Sequence, residues 1–286
     1  AETVLASAAI AAWQAGDIAA AADYAGRAEA AIHPASPGAG RGSAEAAADV
    51  ARFTDDYETS RQMYQLAVER AREERNVPRI VTNLADGAMI SGYLGDVDAA
   101  EEAIAEAREL VGHDSSLAVR AWLDYAEGEA LADHDPDRAI PLLERSVNLA
   151  ENSGAAFIIG VTRLTSSSLQ VRAGDPLVAV PGLVALIEHW RARGAHLQQW
   201  ITLRSVVELF VRLGELNDAA LVLGAVDGSG TAAEDAGADA DRLTQARETI
   251  RADLPDAERV LATWAAADRD LIVDRTLTRL RAVIST

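Results

Sequence analysis

The chain has no cysteine and no lysine, only five histidines, and aromatic residues make up just 5% of its 286 positions. Each shortage removes a class of chemistry. Without cysteine there is no disulfide framework, zinc–thiolate site or cysteine nucleophile. Without lysine there is no P-loop lysine, Schiff base or lysine general base, and all 26 basic residues are arginine. The excess of Ala and Arg points to a GC-rich bacterial genome. Positive charge is itself scarce: 45 acidic residues leave a net charge of −19. Such a chain repels phosphate backbones, so direct nucleic-acid binding by this segment is not expected. No apolar run reaches the roughly 20 residues of a membrane span. No signal peptide is visible, so no membrane association and a cytoplasmic location are expected. The start at Ala1 without Met is what a piece cut from a longer protein would show. β-branched runs are rare too. Phe157–Thr162 is the one short strand candidate, and it reads better as part of a buried helix.

What is present is mostly Ala, Leu and Val, within a hydrophobic fraction of 49%. Ala and Leu favour helices, and small Ala side chains let helices approach closely. A short phrase recurs: a Gly or Asp turn, an apolar residue, then a small pair. It reads Ala15-Gly16-Asp17-Ile18-Ala19-Ala20 and returns as Leu94-Gly95-Asp96-Val97-Asp98-Ala99-Ala100 and Leu213-Gly214-Glu215-Leu216-Asn217-Asp218-Ala219-Ala220. Its acidic member falls at Asp17, Asp56, Asp96, Asp135, Asp175 and Glu215, in steps of 39 or 40 residues. Six evenly spaced copies predict stacked helical hairpins. Gly ends one helix in a left-handed conformation, and the acid caps the next.

The pattern predicts two helices per repeat. His33–Ser43 is a Pro/Gly/Ser loop. Asp114 or Ser115 is expected to cap the helix through Trp122 and Leu131. Asp135-Pro136…Pro141 and Asp175-Pro176…Pro181 match at a distance of 40, and the second proline predicts a delayed start or a kink in each helix. After Glu215 the period breaks. Residues 1–226 read as the repeat array. Residues 227–286 read as an acidic loop followed by capping helices near 239–253, 255–266 and 268–284.

The phrase resembles the turn and second helix of tetratricopeptide repeats, with Gly95-Asp96, Ala100 and Ala107 at the turn and small-residue positions. The period is 40 rather than 34, and most of that family's aromatic positions are absent. A second resemblance covers Glu208–Leu216, Ala219–Ala225 and Arg259–Ala266. This is similar to the C-terminal helical-repeat region of actinobacterial signalling ATPases and LuxR-type transcriptional regulators. The resemblance implies a nucleotide-binding switch domain in the parent protein. No GxxxxGK[ST] motif and no DNA-reading helix occur in this chain, so ATP and DNA binding would belong to other parts.

Among chemistry-bearing residues, His33, His113, His134, His189 and His196 show no i, i+4 pair for a metal. Glu234, Asp235, Asp239 and Asp241 lack EF-hand order. Ser166-Ser167-Ser168 lacks a nucleophile-elbow context. Arg70, Arg72, Arg75 and Arg79, interleaved with Glu69, Glu73 and Glu74, read as a solvated mixed-charge face. Most of the tryptophans read as core. The tetratricopeptide resemblance implies that first helices line a concave groove. Carried over to this sequence, its groove positions are Tyr93, Asp124, Ser168, Arg172, Arg204, Glu208 and Arg212. The last three lie four residues apart on one stripe, a spacing that an intrahelical salt-bridge ladder also explains.

The expectation is therefore an all-α fold: a right-handed superhelix of about six helical hairpins, tetratricopeptide-like, with a helical C-terminal cap. It is read as a non-enzymatic module without cofactor or metal, binding a protein segment, peptide or small ligand in its groove. A carboxylate-based enzyme, a small-molecule-binding domain and a self-associating scaffold, a homo-oligomer, are the alternatives.

Overall fold

The computed structural model describes residues 2–15, 17–31, 42–112, 115–229 and 238–284. Gly16, most of the 33–43 loop with His33, His113, Asp114, Glu234 and Asp235 lie outside these, as does the side chain of Asp239. Among the described residues there are fifteen α-helices and no strand, an all-α helical-repeat fold. First helices of the repeats are α1 (Glu2–Gln14), α3 (Ser43–Phe53), α5 (Val77–Tyr93), α7 (Leu117–Leu131), α9 (Ala156–Ala173) and α11 (His196–Arg212). Second helices are α2 (Ile18–Ala30), α4 (Tyr57–Glu73), α6 (Val97–Val111), α8 (Pro136–Ser153), α10 (Pro176–Arg193) and α12 (Leu216–Gly228). Then come α13 (Ala238–Asp253), α14 (Ala257–Ala265) and α15 (Arg269–Val283), close to the bounds read from sequence. Phe157–Thr162 is helical, within α9.

The periodic acid is the N-cap of every second helix. Asp17, Asp56, Asp96 and Asp135 each accept from the backbone N–H three residues on, at 2.9–3.3 Å. Asp175 accepts from Leu177 N–H at 3.0 Å. Glu215 holds the same position without a side-chain bond to the helix; its carboxylate accepts from Arg279 at 3.3 Å. The cap's own N–H closes the preceding helix. Asp17 donates to Ala12, Asp56 to Ala51, Asp96 to Ser91 and Glu215 to Phe210, each to the carbonyl at 2.9 Å. In the turns before Asp56, Asp96 and Glu215 the residue preceding the cap is left-handed: Gly95 at φ 79° and Gly214 at φ 75°, with Asp55 taking the same conformation at φ 58°. The fourth turn is built differently: His134 N–H donates to Leu131 O, and its Nε2 lies 2.8 Å from Gly92 O.

Four residues beyond each cap stands a small buried residue: Ala21, Ser60, Ala100, Ala139, Ala179 and Ala219. Ser60 replaces Ala in the second repeat, and its hydroxyl is satisfied by the Ala48 carbonyl at 2.9 Å. Of the two outcomes expected from Pro141 and Pro181, the delayed start does not occur: α8 and α10 start at Pro136 and Pro176 and continue as α-helix through Pro141 and Pro181. A proline at the first helical position forfeits only an N–H that has no intrahelical partner.

The chain forms two compact units, residues 1–162 and 163–286, with the division inside α9. In the first unit α1 packs on α3 and α5 on α7, with second helices packed beside them. The α5–α7 approach is close enough that a Cβ at Gly92 would stand 2.5 Å from Ala130 Cα. A ladder of rings 40 residues apart, Trp13, Phe53 and Tyr93, marks the ends of the first three first-helices. Trp13 and Phe53 stack at 4.6 Å, and the Arg52 guanidinium sits 5.6 Å from Phe53 and 5.7 Å from Tyr93.

The second unit has one continuous aliphatic core centred on α12, where Ala219 through Val226 are all buried. That helix is covered by α11 on one side and by α13, α14 and α15 on others. Gly224 and Gly228, four apart, let the α14 backbone lie directly on α12. A Cβ at either would strike the carbonyls of Leu261 and Ala265. Gly224→Ala is therefore expected to cost about 1–3 kcal/mol in urea unfolding. Gly26→Ala, on the exposed side of α2 with nothing within 4 Å, should instead stabilise by about 0.5–1 kcal/mol. Equal effects of the two would refute the close contact.

Candidate functional site

The first unit carries a polar network on the mutually facing sides of α3, α5 and α7. Helical spacing creates it. Glu45, Asp49 and Arg52 stand four and three residues apart on α3; Arg79, Asn83 and Asp86 repeat that spacing on α5. Glu45, Asp49, Asn83 and Asp86 are all buried.

Glu45 is the first node. Its carboxylate accepts from Gly42 N–H at 2.9 Å, closing the start of α3. It also accepts from Arg79 Nε at 2.9 Å, from an Arg79 terminal nitrogen at 2.6 Å and from Asn83 Nδ2 at 3.1 Å. Arg79 turns its other terminal nitrogen to Glu74. Burial pushes the Glu45 carboxyl up, but the Arg79 hydrogen bonds and charge, with Asn83, outweigh it and hold the group below its usual range. Arg79 is correspondingly held above the ordinary guanidinium value: burial pulls it down, and Glu45 and Glu74 more than offset that. The second node is Asp49, which accepts from the Tyr64 hydroxyl at 2.6 Å.

The third node crosses three hairpins. Arg52 of α3 donates to the Tyr93 hydroxyl of α5 at 3.2 Å, and that hydroxyl donates to Glu129 of α7 at 2.7 Å. Tyr57 packs on Tyr93 at 5.3 Å between ring centroids and donates to Asp55 at 2.9 Å. Burial and the Glu129 charge push the Tyr93 hydroxyl well above its ordinary pKa, so it stays a donor.

The groove positions carried over from the repeat family fall as follows. Tyr93 joins the third node. Asp124, 2% exposed, is turned toward the second helices. Arg145 of α8 grips it with two bonds of 2.5 and 2.7 Å, and Arg108 of α6 adds one of 2.9 Å while also reaching Glu127 at 2.6 Å. In the second unit Ser168 and Arg172 are half-buried on α9. The stripe Arg204, Glu208 and Arg212 is present on α11, and two of its members reach off the helix. Glu208 lies 3.8 Å from Arg242 of α13, and Arg212 donates to the carbonyls of Val171 and Gly174, the latter at 3.3 Å, at the C-terminal end of α9.

The mixed-charge reading of Arg70 to Arg79 needs correction. Arg72 meets Glu106 at the surface, but Arg79 is only 10% exposed and Arg70 bonds Ser43 Oγ. An arginine cluster with interleaved acids reads alike whether it faces water or a neighbouring helix. Three tryptophans are buried, Trp13, Trp190 and Trp200, while Trp122 and Trp264 are half-buried. Among the described residues no group of three or more His, Asp or Glu side chains is placed to hold a metal. Sequence reading missed Glu45, Asp49, Arg52, Asn83, Asp86 and Glu129. The available signal was polar residues at spacings of four and three within otherwise apolar helices.

Comparison with known proteins finds no family model that matches the chain, and no match among curated proteins or solved structures.

Because Glu45 is held low only in the folded chain, its contribution is complete above its usual pKa of 4.5 and is lost as pH falls through the folded value. Glu45→Gln should therefore cost about 3 kcal/mol at pH 7, by leaving the Arg79 charge short of its buried partner. The gap to wild type should narrow in urea unfolding below pH 4.5. A gap independent of pH would show that the pair does not tie α3 to α5.

Proposed function

We propose that the chain is a non-enzymatic helical-repeat binding module. It serves as the sensor or interaction part of a bacterial signalling or transcriptional regulator and receives a protein or peptide segment on the face of its first helices. The observation that carries this reading is the Arg52–Tyr93–Glu129 chain, which fixes side chains of three successive first helices in one arrangement. A surface whose side chains are already held loses less conformational freedom on binding. The Glu45 carboxyl, held below its usual range by Arg79, suits anchoring better than proton transfer, which wants a group poised near the working pH.

Charge gives the partner's sign. The first unit holds 28 acidic residues against 12 arginines, a net −16; the second holds 17 against 14, a net −3. An Arg/Lys-rich segment is thus the favoured partner of the first unit, since complementary charge speeds encounter and rejects acidic competitors. The regulator assignment rests on the resemblance of residues 208–225 and 259–266 to LuxR-type regulators and signalling ATPases.

The test is fluorescence anisotropy with labelled 15-residue peptides, one Arg/Ala and one Glu/Ala. The basic peptide should bind, weaken as NaCl rises from about 50 to 200 mM, and lose about tenfold in affinity to Tyr93→Ala. Binding of neither peptide, or equal binding of both at both salt concentrations, overturns the reading. A P-loop ATPase encoded upstream of Ala1 supports the regulator assignment; an isolated reading frame starting nearby sinks it.

A further inference from the structure

The second unit has an open cleft of about 470 Å³ between α10 and α15. Its volume lies within the range of small-molecule sites, about 300–1,000 Å³. Each wall presents one acid and one base. On α10 these are Glu188 and Arg191, three residues apart; on α15 they are Asp274 and Arg281, with Thr278 on the same side. The helices meet through two crossed ion pairs, Arg191–Asp274 and Glu188–Arg281, each 2.5 Å. Leu277 is buried between them and forms an apolar floor.

Two features make these groups more than a latch. All four side chains are 38–64% exposed, and solvated pairs of this kind contribute little to stability, so exchanging a partner costs little. The docking of α15 does not need them, because Ile272, Val273, Leu277 and Leu280 already bury its apolar face. The charges of the cleft also sum to zero. A lone anion meets two carboxylates there, and a lone cation meets two guanidiniums. A molecule bearing one charge of each sign satisfies both. Three residues along a helix is about 4.5 Å, so one wall can meet both ends of an amino-acid-sized ligand.

We propose that this cleft binds a small zwitterion of the amino-acid type. Its carboxylate is taken by the Arg191 fork, with Thr278 as an added hydroxyl donor, and its ammonium by Asp274 and Glu188. The site is independent of the peptide-binding face proposed for the first unit, so either can fail without the other.

Calorimetric titration of the full chain with glycine, β-alanine and γ-aminobutyrate tests it, with acetate and methylammonium as single-charge controls. At least one zwitterion should bind saturably with one site per chain, and each control at least about tenfold more weakly. Arg191→Gln and Asp274→Asn should each weaken that binding about tenfold, while Arg27→Gln, at an exposed surface pair of the first unit, leaves it unchanged. Circular dichroism checks that both variants keep the wild-type fold. Absence of saturable binding, controls that bind as well as the zwitterions, or retained affinity in both cleft variants overturns the proposal.

Discussion

Joining two helices through a turn of only two to four residues leaves backbone donors and acceptors at both ends, and the repeat architecture depends on how they are met. Before Asp56 and Asp96 a left-handed residue turns the chain, the cap N–H returns to the first helix, and the cap carboxylate accepts from a backbone N–H of the second. Because one acid serves both helices, its position is fixed relative to each. The small residue four places on is then always at the crossing, which is why Ala21, Ser60, Ala100, Ala139, Ala179 and Ala219 are all buried. The turn thus sets the packing distance as well as the connection. The long period has the same origin: helices of 17 or 18 residues in α4, α5 and α8 to α11, joined by short turns, fill about 40 residues.

Close crossing at alanine has a cost. Alanine buries little area, and the first unit's core at α1, α2 and α3 is almost wholly alanine. Hydrophobic burial scales with area, so such a core stabilises less per residue than one of Leu, Ile and Val. The polar network adds directional contacts between the first helices α3, α5 and α7. Glu45–Arg79 ties α3 to α5, and Arg52–Tyr93–Glu129 ties α3 to α5 to α7. The second unit has no such need, because α12 is buried all round in a continuous aliphatic cluster.

The fold was legible because its signal is periodic and local. Asp17, Asp56, Asp96, Asp135 and Asp175 cap helices through bonds spanning two or three residues, so sequence spacing carries the whole interaction. The site residues were less legible because their partners are remote: Glu45 meets Arg79 at a separation of 34, and Arg52 meets Tyr93 at 41. Tyr93 was found through its place before the turn. Asp124 shared that logic, yet it is turned toward α6 and α8, and Tyr125 and Glu129 are the α7 groups electrostatically joined to Arg52. A 40-residue period fixes which helix a residue is on. It leaves the rotation of the helix open, and a turn of 100° per residue decides which neighbour a side chain meets.

The two units divide the chemistry unequally, and that bears on where recognition sits. All five tyrosines and most of the negative charge belong to the first unit. Tyrosine offers a large contact area with few rotatable bonds and a hydroxyl that can pair, the combination that binding surfaces favour. Here the hydroxyls of the half-buried Tyr57 and Tyr93 are engaged by Asp55 and Glu129, which fixes both rings in place. Under the proposed function, an acidic, tyrosine-bearing face held in this way would discriminate by charge and shape together. A cationic partner gains from the field, and an acidic one is repelled before contact. In the second unit the arginines nearly balance the acids, so its surface exerts no such long-range preference. Its charges act at short range instead, where groups of both signs face one another across α10 and α15, Arg191 with Asp274 and Glu188 with Arg281.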